Sequence, residues 1–281
     1  MAVKLTAMRQ GMLGAFRLGW VVETNWTHPL AYLVFLLLRP VGGALILVFI
    51  YKVAVGGPLN SSAVEFLVVG AALWSYVITG LQGISLTVIQ EREWFKVLKY
   101  VVMTPLPLYA YVLARSAVRL VTGTVGAVVV LALADFLLDL ELSLATIDWP
   151  RLLVAMVLGL AALEGLGVGL AGTTMAVARH PFGVSEGVAG VLYLLSGAVF
   201  PVSLLPDLVE PVAYLLPFTY WLEGVRRALL PSYDPSVMGI GDPLLPLLVT
   251  SAATIVLGGL AFRGFNRRTR RLGRYDWTTE Y

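Results

Sequence analysis

Charge is scarce in this sequence, and where it clusters it points to docking rather than to bond-making. Glu91, Arg92, Glu93, Lys96 and Lys99 lie close together between two long apolar stretches. Wound as a helix at about 100° per residue, Arg92, Glu93, Lys96 and Lys99 fall on one side and Trp94, Val97, Leu98, Val101 and Val102 on the other. Only Glu91 breaks the pattern. Such a helix lies along a membrane surface and offers its polar face to the cytosol, where a second protein can push on it. Glu164 and Glu186 stand inside apolar stretches. A charge at the bilayer centre costs at least about 2.5–3.5 kcal/mol, so these two carboxyls are expected to face the interior of a helix bundle, pair, or protonate.

Other chemistry is excluded by what the chain lacks. It has no cysteine, and His28 and His180 are far apart, so neither a thiolate site nor a histidine metal site is expected. No Ser-His-Asp grouping suggests hydrolysis. None of the lysines, Lys4, Lys52, Lys96 and Lys99, follows a glycine in a phosphate-binding loop, so no nucleotide hydrolysis and no cofactor is expected on this chain.

The elements that must position these residues are membrane helices. Of 281 residues, 58% are hydrophobic and only 13% charged, with a mean hydropathy of +0.84; soluble domains carry about a quarter charged residues. Six spans are expected, over about 29–55, 63–89, 108–138, 149–178, from 182 onward, and 244–262. No cleavable signal peptide is evident; residues 1–28 read instead as an amphipathic interfacial helix, with apolar Leu5, Met8, Met12, Phe16 and Trp20. Gly56-Gly57-Pro58 turns the chain between the first two spans, and Thr104-Pro105-Leu106-Pro107 ends the charged segment over 90–107.

After the fifth span, Pro201, Pro206, Pro211 and Pro217 forbid one continuous helix, so short helices re-entering the outer leaflet are expected over 200–230. Asp139, Glu141 and Asp148 mark an acidic loop, and Arg179-His180 ends the fourth span. Fourteen of the twenty lysines and arginines lie on the side of the amino-terminal helix, the charged segment and the basic tail at 263–281, which makes that side cytoplasmic and puts both ends there. The net charge of +3 thus reads as membrane orientation rather than nucleic-acid binding.

Two stretches resemble a known family. Glu91-Arg92-Glu93, then Leu98 and Thr104-Pro105, resembles the segment after the second span of ABC-2 permeases, although Trp94-Phe95-Lys96-Val97 departs from that pattern. Gly197 to Pro201, Pro206, Pro217 to Tyr220 and Glu223 to Arg226 are similar to the family's late motif. The resemblance, nearest to the drug-efflux and daunorubicin-resistance-type branch, implies an exporter permease in the cell membrane. It further implies pairing with a second copy or a homologous permease, and a separate P-loop ATPase subunit that carries ATP and Mg. It makes Arg92 to Lys99 a coupling helix, with Arg92, Glu93, Trp94, Phe95, Lys96, Leu98 and Lys99 at the ATPase, and makes Phe200, Pro201, Pro206, Pro217 and Tyr220 an outer gate.

Trp74, Tyr76 and Thr79 on the second span are candidates for a path for an amphipathic substrate, or for ordinary packing. Gly165 and Gly169, and Gly183 and Gly187, are small-xxx-small pairs suited to packing within the chain or, less readily, to a dimer contact. Export of a lipid-linked polysaccharide, ion-coupled transport using Glu164 and Glu186, and a lipid enzyme remain alternatives. Against the last two stand the lack of an evident inverted repeat and the lack of a catalytic cluster.

Overall fold

The computed structural model describes residues 2–25, 28–56, 61–138, 144–176 and 181–276, and among these there is no strand. Trp26, Gly57-Pro58, Asp139, Glu141 and Arg179-His180 lie outside the described residues. The helices are α1 (Ala2–Thr24), α2 (Pro29–Val55), α3 (Ser62–Val77), α4 (Gly83–Ile89), α5 (Leu98–Met103), α6 (Leu108–Leu138), α7 (Trp149–Ala176), α8 (Pro181–Leu195), α9 (Glu210–Ala213), α10 (Pro217–Leu229) and α11 (Leu244–Arg271). Five helical stretches are long and apolar enough to cross a membrane: Leu36–Val55, Ser62–Trp94, Leu108–Leu138, Trp149–Ala176 and Leu244–Arg271. The expected fifth span appears as the shorter α8, which at about 1.5 Å per residue falls short of a core about 30 Å thick.

The second span is the hub. Two π turns, Ile78–Gln82 and Gln90–Trp94, join and extend α3 and α4 into one unbroken helix from Ser62 to Trp94. Most of it is buried between α6, α7 and α10. On one flank α7 runs against α11 through glycine. A Cβ on Gly258 would lie 1.9 Å from the Gly165 carbonyl oxygen, and one on Gly169 would lie 3.0 Å from the Gly258 Cα, so the backbones touch there.

One expectation is corrected: residues 90–107 do not form one amphipathic helix. The second span continues through Trp94, and Arg92 reaches the Thr174 and Met175 carbonyls of α7, which draws Arg92 and Glu93 inside. The chain then breaks: Lys96 takes φ 55°, and the Val97 N–H donates to the Glu91 carbonyl, the closing bond of a helix ended by one left-handed residue. Only the short α5 follows.

α1 rests on α6 through Ala15 and Gly19, while Met8 and Trp20 are exposed. A Cβ on Gly19 would meet the Arg115 carbonyl oxygen at 2.5 Å. The basic tail from residue 263 is helical as far as Arg271, a continuation of the last span.

Candidate functional site

At one end of the bundle the buried charges form three linked contacts. Arg92 Nε donates to Glu93 Oε1 at 2.7 Å, and its Nη1 donates to the carbonyls of Thr174 (3.1 Å) and Met175 (3.2 Å). Those carbonyls belong to the last described turn of α7, and a guanidinium donating to them is a charge-assisted contact that pins the second span to α7. Arg115 Nε lies 3.3 Å from Glu91 Oε1, with both side chains shut from solvent. Arg119 Nε and Nη2 both reach Glu23 Oε1, at 2.8 and 2.5 Å, and its Nη1 donates to the Gly83 carbonyl. The second span, α6, α7 and α1 are thereby tied together by charge at one end of the bundle.

What remains exposed beyond this network is a small knuckle. Trp94 is 53% and Phe95 46% exposed, and Lys96 is exposed between them and α5. Lys99 is half-buried with its ammonium 5.3 Å from the Tyr100 ring centroid, and Leu98 is buried. Of the residues expected to meet a partner, Trp94, Phe95, Lys96 and part of Lys99 are therefore accessible, and Arg92, Glu93 and Leu98 are buried.

Above the network sits a cavity of about 320 Å³ between α2, the second span and α6. Its inner end carries Tyr32, Gln82 and the Glu23–Arg119 pair, and its upper wall is apolar, with Trp74 and Tyr193 in contact at 4.6 Å between ring centroids. The first π turn bulges the second span into this wall, so that Ile78, Thr79 and Gln82 all line it; π turns inside helices often mark functional positions. Trp74 and Thr79 thus share one space. Tyr76 does not join them: it is turned to the Trp221 ring, 6.1 Å away.

The proline-rich region packs at the other end of the bundle. Pro217 starts α10, which suits a residue without a backbone donor. Phe200 packs on a small core of Phe66, Leu195, Val202, Leu205, Ala213 and Met238. Pro201 is half-buried, Pro206 is exposed, and the Tyr220 hydroxyl donates to the Tyr214 carbonyl at 2.8 Å.

Arg226 is fully buried. Its Nη2 reaches the carbonyls of Gly197 (2.9 Å), Phe66 (3.2 Å) and Ala198 (3.3 Å), and its guanidinium stacks 3.4 Å over the Phe66 ring. Arg227 holds Glu223 at 2.6 Å. Neither arginine is a surface charge that orients the chain.

Glu164 and Glu186 part company. The Glu164 carboxyl is buried with no hydrogen-bond partner among the described residues, whereas Glu186 is exposed on α8. Of the alternatives expected for a carboxyl within a span, the inward one does not hold for Glu186 within this chain, because α8 meets the bundle through Ser185, Ala189 and Leu192, leaving Gly183, Glu186, Gly187, Val191 and Leu194 on its outward side. A Cβ on Gly183 or Gly187 would meet nothing within 4 Å among the described residues, unlike one on Gly165 or Gly169.

Sequence reasoning passed over Glu23, Arg115, Arg119 and Arg226 as site residues. The available signals were Glu91, the one residue out of step with its helix face, and the four-residue spacing of Arg115 and Arg119 in an otherwise apolar span. Comparison with curated proteins gives no match. The family model described as ABC-2 type transporter matches residues 21–230, a stretch that holds the inner charge network, the cavity and the proline-rich outer helices. The chain therefore belongs to the ABC-2 type transporter family and is a multi-pass membrane protein, the permease component of an ABC transporter.

Proposed function

We infer that this permease exports a hydrophobic or amphipathic substrate, drug-like or lipid-like, from the cytoplasm or inner leaflet, in the manner of the drug-efflux-type branch. Energy comes from ATP and Mg on a separate P-loop ATPase subunit. One observation carries this reading: a single unbroken helix, Ser62–Trp94, lines the cavity with Trp74, Thr79 and Gln82 and ends in the exposed knuckle at Trp94, Phe95 and Lys96. A push on the knuckle is a push on the cavity wall, because a helix is stiff along its axis and this one is clamped by Arg92 and Glu91 at its end. The cavity's size suits one drug-sized ligand.

In this reading α8 crosses the membrane together with the loops beside it, giving six spans with both ends cytoplasmic. Two copies, or this chain and a homologous permease, meet through the outward side of α8, whose small residues let helices approach closely. Phe200, Pro201, Pro206, Pro217 and Tyr220 form the outer closure, held in its resting position by Arg226.

The test is reconstitution of the complex purified from its native membrane. ATP hydrolysis by a copurifying ATPase that amphipathic drugs or lipids stimulate, with the stimulation but not the basal hydrolysis lost in Thr79→Trp, supports the reading. Stimulation by lipid-linked polysaccharide alone would replace the substrate class. Purification of a folded chain with no ATPase, even after cross-linking in the membrane, would sink the exporter reading.

A further inference from the structure

The last helix carries an arrangement that a basic tail alone does not explain. α11 leaves the apolar stretch and continues to Arg271, so Arg263, Arg267, Arg268, Arg270 and Arg271 sit on a rigid helix. At about 100° per residue, Arg263, Arg267, Arg270 and Arg271 fall within about 100° of one another, and only Arg268 lies off that sector. The opposite side of the same turns is packed: Phe262 and Thr269 are buried, and Phe262 and Phe265 lie against Gly172 of α7.

Followed back up the helix, the arginine sector becomes Leu260, Val256, Val249 and Leu245, which are 56%, 59%, 61% and 68% exposed. An exposed apolar stripe on a membrane helix faces acyl chains where no second copy covers it, and the contact proposed between copies lies on α8, not on α11. The arginines therefore emerge on the side that faces lipid, and they span about 12 Å of axis at about 1.5 Å per residue, within reach of the headgroup layer. None of the four makes an ion pair among the described residues.

We propose that Arg263, Arg267, Arg270 and Arg271 form a binding site for the phosphate headgroup of an anionic phospholipid in the inner leaflet, whose acyl chains lie along Leu260, Val256 and Val249. Guanidinium forks match phosphate oxygens in pairs, which suits arginine rather than lysine here. A positive charge near an anionic leaflet is worth about 1 kcal/mol, about a fivefold change in affinity for each residue.

The full chain in its native assembly is placed in phosphatidylcholine nanodiscs and titrated with phosphatidylglycerol, with bound lipid read by native mass spectrometry and stability by thermal unfolding. Wild type is expected to retain phosphatidylglycerol over phosphatidylcholine and to melt higher with it. Arg267→Gln is expected to weaken retention about fivefold, and Arg263→Gln with Arg267→Gln and Arg271→Gln together about a hundredfold. Arg268→Gln removes the same charge one residue away and is expected to change it less than about twofold. Both single variants lie on exposed turns and keep the helix.

Equal losses in Arg267→Gln and Arg268→Gln would overturn the site, since charge alone would then suffice. So would the absence of any preference for phosphatidylglycerol in wild type, or cross-links from position 267 to an acidic protein subunit in place of lipid.

Discussion

Arg115→Met separates a structural ion pair from a decorative one. The side chains of Arg115 and Glu91 are 0% and 1% exposed and meet through one contact of 3.3 Å. Two guanidinium nitrogens and one carboxylate oxygen of the pair have no hydrogen-bond partner among the described residues. Methionine keeps most of the apolar stem of arginine but leaves the Glu91 carboxylate buried without a counter-charge. Breaking a buried pair from one side costs about 3–5 kcal/mol, whereas replacing both partners by apolar residues is often neutral or stabilising. Glu91→Leu should therefore cost about as much as Arg115→Met, and the double variant should lie within about 1 kcal/mol of wild type or above it, a coupling of at least about 5 kcal/mol. Equilibrium unfolding in mixed micelles, followed by tryptophan fluorescence, gives the four corners of the cycle. A cost below about 1 kcal/mol for Arg115→Met, unchanged in the double variant, is the behaviour of a hydrated pair and would refute the reasoning.

The remaining predictions concern the backbone contacts and the cavity. Gly258→Ala forces a Cβ into the Gly165 carbonyl and should destabilise by about 1–3 kcal/mol, whereas Gly259→Ala, which meets nothing within 4 Å, should cost nothing or gain slightly; the same unfolding assay compares them. Lys96→Gly should keep or raise stability and Lys96→Val should lower it by about 1–2 kcal/mol, because φ 55° penalises a side chain branched at Cβ. Arg226→Met should loosen α10 from Phe66 and Gly197, read as faster hydrogen exchange confined to residues 197–230. Thr79→Trp should fill the cavity and abolish substrate stimulation of ATP hydrolysis while leaving the basal rate within about twofold, since basal turnover depends on the knuckle and not on the cavity wall.

Much of the bundle was legible because its signals are local. The apolar stretches at 29–55, 108–138 and 149–178 are long enough to be read from hydropathy alone, and the prolines between 201 and 217 break a helix wherever they stand. The charged segment was misread for a reason that is not local. Arg92 and Glu93 look like the polar face of a surface helix until the Thr174 and Met175 carbonyls of α7 arrive, and those come from 82 and 83 residues away. Glu91 and Arg115 likewise find each other across the bundle, and neither has a sequence feature naming its partner. The wall of the cavity was half visible: Trp74 and Thr79 lie five residues apart, but the π turn beginning at Ile78 shifts the register, so a plain helical wheel also admits Tyr76. The small-residue contact of α1 at Gly11, Ala15 and Gly19 was available as spacing but was outweighed by the larger apolar side chains of the same helix, of which Met12 packs on the bundle while Met8 and Trp20 are exposed.

The most direct test of the coupling role assigned to the second span is site-specific photo-cross-linking in the native membrane. A cross-linker is placed in turn at Trp94, Phe95 and Lys96, and at Glu93 as the buried control. Cross-links from the three exposed positions to a P-loop ATPase, with none from Glu93, are the predicted result. An ATPase that cross-links elsewhere on the chain and never at the knuckle, or no ATPase at all, would contradict it.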